Sequence, residues 1–220
     1  MTPLCRFPDR AACLPPRYYG EVAWYALAAA FGNTTMAWHT LYDKRQKSAH
    51  RCSIADKQGV ATLTASITKP HGINRATWAD VALSDHGAWW RVHRATLATA
   101  YGRTPFFEFY IDRFDPFLTD GVTDRYHTLA ELGNAIDMTI RQILDIAPPT
   151  QPDMPPPVVA TADTAAIDTP PYWQVRADRL GFIGNLSVLD LIFNLGPEAP
   201  LYLKTITDRL TPAAATCGLS

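Results

Sequence analysis

An α/β or α+β fold, a mixed sheet covered by helices, is the class that three observations predict. Segments with a two-residue apolar period alternate with segments whose apolar residues recur every three to four positions. The chain has 220 residues, 47% of them hydrophobic, enough for one substantial core. A Pro-rich stretch late in the chain is followed by an apolar helix that has to return to that core to leave water. The predicted organisation is a main core over 1–147, a linker over 148–171, and a C-terminal segment over 172–220 that packs back on the same core.

In chain order, Cys13-Leu14-Pro15-Pro16-Arg17-Tyr18-Tyr19-Gly20 reads as extended chain leading into a helix over about 19–31. That helix is apolar on several faces, so other elements should cover it. A strand follows at 34–38. Residues 49–55 and 60–68 form a predicted hairpin around Asp56-Lys57-Gln58-Gly59. In its second arm Ala61, Leu63, Ala65 and Ile67 alternate with Thr62, Thr64, Ser66 and Thr68, which gives the strand one inward face. By that parity Lys69 falls on the apolar side, just before Pro70.

Three helices are predicted next, over about 87–101, 106–118 and 129–146. Ser84 or Asp85 can cap the first, and Pro105 can open the second. Residues 148–171 turn to Pro, Ala, Thr and Asp, include Pro155-Pro156-Pro157, and read as an extended linker. Beyond them Tyr172-Trp173-Gln174 precedes the apolar run from Gly181 to Gly196. There Ser187 fits an N-cap and Asp190 can reach back to complete a capping box. Leu186 with Leu191 fits a hydrophobic staple, and Gly196-Pro197 supplies a stop. Asp190 is thereby read as a cap before it is read as an acid. Asn185, just outside the cap, either faces a site or is a turn residue tolerating a left-handed backbone.

Composition narrows the function classes. Lys and Arg number 20 against 21 Asp and Glu, for a net charge of −1, so no large electrostatic footprint for nucleic acid is present. Four cysteines lie far apart without metal-ligand spacing, and no N-terminal stretch combines a basic region, an apolar run and a cleavage site. A reducing cytoplasm is the expected location. No apolar run approaches the roughly 20 residues needed to span a bilayer.

On the helix over 87–101, Trp90, His93, Leu97 and Tyr101 share a face while Arg91, Arg94 and Ala98 point elsewhere. An inward His93 is either a core residue with its hydrogen bonds satisfied or a catalytic base. Arg51 offers a planar fork for a phosphate or carboxylate, and Lys47 and Lys69 are point charges able to flank it or simply to sit in solvent. Cys52 is a tempting nucleophile, but a buried strand cysteine is ordinarily inert.

Several blocks together are similar to one family. Trp89-x-x-x-His93, then Ala100-Tyr101, then Pro105-Phe106-Phe107 resemble a pattern of WbqC-like proteins. So do the Lys-rich approach from Lys44 to Arg51-Cys52, the strand end at Lys69-Pro70, and the closing segment around Asn185. The chain departs from the family pattern at Ser48, Ala49, His50 and Gly184. The resemblance implies biosynthesis of a bacterial surface polysaccharide of the O-antigen kind, through transfer of an acyl or aminoacyl group to a sugar or nucleotide-sugar. It implies His93 and Asn185 as catalytic residues and Arg51, Lys69, Lys47 and Trp89 as substrate-binding residues. It names no cofactor, no nucleic-acid partner and no oligomeric state. The departures leave a second reading open, a non-catalytic protein that binds a sugar or a partner.

Overall fold

The computed structural model describes residues 5–70, 75–150 and 166–210. The Pro155-Pro156-Pro157 triplet, most of the predicted linker and Cys217 lie outside the described residues. The first elements form a β-α-β unit: β1 (Phe7–Leu14), α1 (Val22–Ala30) and β2 (Phe31–Met36), with β1 and β2 parallel. Parallel pairing requires a crossover, and α1 supplies it. All nine residues of α1 are buried, as a helix apolar around its circumference demands. The strand that starts the unit precedes the segment read as extended, because Pro8, Asp9 and Arg10 on β1 are exposed and blur any alternation.

The hairpin forms from β3 (Arg51–Asp56) and β4 (Gly59–Thr64), antiparallel, with Arg51 opposite Thr64 and Cys52 opposite Leu63. Its second arm is shorter than predicted. The chain breaks from the ladder at Ala65-Ser66, and β5 (Ile67–Thr68) pairs instead with β6 (Ala82–Leu83). The alternation therefore does not carry through, and Lys69 is exposed, not on the apolar side. Parallel and antiparallel pairing both occur, but in separate two-stranded sheets among the described residues.

Helices α2 (Trp89–Tyr101), α3 (Phe107–Phe114), α4 (Val122–Arg125) and α5 (Leu129–Leu144) follow. Neither Ser84 nor Asp85 caps α2. A 3-10 turn over His86–Ala88 leads in, with Ala88 left-handed at φ 40°. Capping boxes lie instead on α5, where Thr128 and Glu131 satisfy each other's backbone amides, and at the 3-10 turn Trp78–Asp80, between Thr77 and Asp80. Within α5 the buried Arg141 pairs with the buried Asp137 and also donates to Thr34 on β2.

After α6 (Ala177–Leu180) come α7 (Val188–Leu195) and α8 (Ala199–Thr207). The helix α8 was not anticipated from sequence. Pro197 reads as a stop, yet it and Pro200 each sit in the first turn of a helical segment, where a missing N–H costs nothing. Both α7 and α8 pack on α1, and α7 also meets α2, α3 and β3.

Candidate functional site

The segment joining β1 to α1, residues 15–21, sits where the hairpin and α2 converge. Tyr18 donates its backbone N–H to the Ser48 carbonyl (3.1 Å), just before β3. The Tyr18 hydroxyl meets His93 Nδ1 at 3.0 Å, inside the protein. Tyr19, next along, holds a left-handed backbone (φ 45°), a conformation costly for a non-glycine residue. The Arg17 side chain is buried too, with Nε on Glu21 at 2.8 Å and Nη1 on the Pro16 carbonyl.

His93 projects from the buried face of α2 with Trp90, Leu97 and Tyr101, as its periodicity predicts. It is 3% exposed, and its ring leans on Trp89 (5.2 Å between centroids) and Tyr18 (5.8 Å). Burial pulls the imidazole down to about 4, opposed by a hydrogen bond to the Thr64 backbone, so the ring is neutral at neutral pH. Trp89 is buried and donates its indole N–H to the Ser84 carbonyl at 2.8 Å.

Between α2 and the outer edge of β4 lies an open depression of about 520 Å³. Its walls include Thr62, Thr64, Ser66, Trp89, His93 and Thr96. The register explains the polarity of its strand wall. Ala65 N–H bonds the His50 carbonyl, so residues 61, 63 and 65 turn their backbone groups toward β3. Thr62 and Thr64 turn theirs the other way, toward the depression and His93. Arg51 stands opposite Thr64, so the two side chains share a face of the hairpin.

Arg51, Lys47 and Lys69 are all exposed, yet they act together on one group. His50 is 8% exposed, and its imidazole is held down to about 4, first by burial and then by the positive charges of Arg51, Lys47 and Lys69. None of the three cations has a carboxylate partner among the described residues. His50 Nδ1 is buried without a hydrogen bond. Sequence reasoning treated His50 only as a departure from a pattern. Its placement between Lys47 and Arg51 was the available signal.

Asn185 is placed differently. It is half-buried with φ 51°, and its side-chain oxygen accepts the Ala23 N–H at 3.0 Å, satisfying a free amide in the first turn of α1. It does not line the depression between β4 and α2. Asp190 is not part of a capping box either. Ser187 caps α7 by accepting the Leu189 N–H, while the Asp190 carboxylate accepts from Tyr101 (2.8 Å), Gln174 (2.8 Å) and Tyr172. Burial pushes this carboxyl up from its ordinary range, and the hydrogen bonds to Tyr172, Tyr101 and Gln174 oppose that. Burial likewise pushes the Cys52 thiol far up, which removes the thiolate a nucleophile would need.

A second depression, of about 570 Å³, lies beside α2, but its charges are neutralised. Arg91 pairs with Asp120 and Arg94 with Asp115. Among the described residues no group of three or more His, Cys, Asp or Glu side chains is set to hold a metal, and no helix is long and apolar enough to cross a membrane.

No curated protein matches the chain, and no solved structure matches it. A family model does match, over residues 23–156, which include all of α1 but Val22, the hairpin, the basic cluster around His50 and all of α2. That span exceeds half of the sequence, and by it the chain belongs to the WbqC-like protein family.

Proposed function

We propose that this chain serves bacterial surface-polysaccharide biosynthesis by binding an anionic sugar precursor, such as a nucleotide-sugar, in the depression between β4 and α2. The observation that carries the reading is the adjacency of two chemistries. A wall that includes the threonine and serine side chains Thr62, Thr64, Ser66 and Thr96 suits a saccharide, whose hydroxyls need polar partners. Arg51, paired across the hairpin with Thr64 of that wall and acting on His50 together with Lys47 and Lys69, suits the phosphate or carboxylate of the donor.

In this reading the reaction is transfer of an acyl or aminoacyl group to a sugar hydroxyl or amine. The neutral His93 accepts the acceptor's proton as the new bond to the acyl carbon forms. The bond from that carbon to the thioester sulfur breaks, and the ring returns the proton to the departing thiolate. Its ring already meets Tyr18 and the Thr64 backbone, so the acceptor group takes the place of one of them. Asn185, whose oxygen is engaged by α1 and which does not line the depression, has no part in this reading.

The same two features favour a second reading, a non-catalytic sugar-binding protein, since a ring with both sides occupied is also what a structural histidine looks like. One experiment separates them. The protein is incubated with nucleotide-sugars and acyl thioesters, and thermal stabilisation and acceptor mass are both followed. Mass gain lost in His93→Gln supports the transferase. Saturable stabilisation without mass gain supports the binding protein, and neither response from any nucleotide-sugar defeats the proposal.

A further inference from the structure

His50 is the largest unexplained polar feature near the site. It lies at the junction of three pieces of chain. Its backbone N–H donates to the Lys47 carbonyl at 3.2 Å, its carbonyl accepts from Ala65, and Tyr18 is tied to Ser48 two residues before it. The side chain is more than nine-tenths buried, and Nδ1 has no partner. A buried polar atom left unpaired is costly, so a group that supplied its partner would recover that cost.

The charged groups facing it are all positive. Lys47 precedes it on the same loop, Arg51 follows it at the start of β3, and Lys69 comes from the end of β5. From the segment before α1, Arg17 and Glu21 neutralise each other through their 2.8 Å contact. From α2, the neutral His93 is turned to Tyr18. No carboxylate among the described residues acts on His50. Three uncompensated cations around an unpaired imidazole form a site that is complete only when an anion arrives.

We infer that His50 is the proton-gaining contact of an anion site built with Lys47, Arg51 and Lys69, so that capture of a phosphate-class anion draws one proton from solvent onto the imidazole. The inference rests on the anionic-ligand reading above and adds a residue and a proton to it. The bookkeeping is simple: the ligand enters with its charge unchanged, solvent buffer loses a proton, and the ring nitrogen takes it, becoming a second donor toward the anion. The anion's field offsets the repulsion of the three cations, which at present helps to keep the ring unprotonated.

The test is titration calorimetry in buffers of different ionisation enthalpy, at about pH 6 and about pH 8. The probes are sulfate and UDP-glucose, neither of which titrates in that range. The expected result is uptake of a fraction of a proton at the lower pH, with affinity several-fold higher there than at the upper pH. His50→Gln should still bind, several-fold more weakly, with no uptake and no pH dependence. His50→Asn repeats the test should the Gln variant fold poorly. Binding without uptake in the unaltered protein, or equal uptake in both His50 variants, overturns the inference while leaving the anion reading intact. Failure of both probes to bind the unaltered protein overturns both.

Discussion

Acid should weaken this protein through His93 in a way that one substitution makes visible. The folded chain holds the imidazole at about 4, whereas an unperturbed histidine sits near 6.5. The sign follows from which state takes the proton first. Below pH 6.5 the unfolded chain is protonated while the folded one resists, so the stabilisation is complete above 6.5 and is lost as pH falls toward 4. The full window corresponds to about 3 kcal/mol, and roughly 2 kcal/mol of it is gone by about pH 5. Urea unfolding followed by tryptophan fluorescence, at several pH values between about 7.5 and 5, measures it. His93→Gln can keep a hydrogen bond to Tyr18 but cannot titrate. Its stability should start lower at neutral pH and converge on that of the unaltered protein as the medium is acidified. His50, Asp137 and Asp190 are present in both proteins, so their titrations cancel in the difference. A gap between the two proteins that stays constant across the range would refute the argument that a buried, neutral ring sits at this position.

Other substitutions test the neighbouring contacts. Asp190→Ala strips Tyr101, Tyr172 and Gln174 of a buried acceptor and should cost at least about 3 kcal/mol in urea unfolding, whereas Asp190→Asn, which keeps an acceptor oxygen, should cost clearly less. Asn185→Ala removes the partner of the Ala23 amide and should cost about 1 kcal/mol of stability. A loss of ligand affinity beyond tenfold with unchanged unfolding would instead assign Asn185 to the site. Gly196→Ala places a methyl 2.4 Å from the Phe106 ring at φ 51°, and should lower stability by about 2–4 kcal/mol.

Local signals in the sequence carried over well where one element settles its own geometry. The inward face of α2, the Ser187 cap and the Asp56–Gly59 turn are all matters of spacing within a few residues. The features that escaped are those settled from far away in the chain. Lys69 lost its predicted side because β5 finds β6, not β3. Asp190 had the spacing of a capping residue, but burial beside Tyr101 and Tyr172 gave its carboxylate stronger partners than an amide already satisfied. Asn185 showed its left-handed backbone tendency in the sequence, while the amide it satisfies lies 162 residues earlier. The site divides the same way. Basic residues near residue 50 and a histidine one helical turn after Trp89 are visible as types. That the cations would gather on His50, and that Tyr18 would meet His93, depended on the packing of the segment before α1.

The stitches between residues 185–188 and the start of α1 bear on how the chain acquires its shape. Leu186 accepts from Val22, Val188 donates to Gly20, Ser187 donates through its backbone to Ser53 and through its hydroxyl to Tyr19. A helix with no water-facing side thus receives its seal from sequence made more than 150 residues later on the ribosome. Until then its nine apolar-rich residues have β1 and β2 against them but lack α7 and α8, and a growing polypeptide halted before residue 185 would expose part of an unfinished core. Such long-range closure slows folding. It also makes residues 186–188 a checkpoint, since Tyr19, Gly20 and Val22, beside Tyr18, take their partners from them.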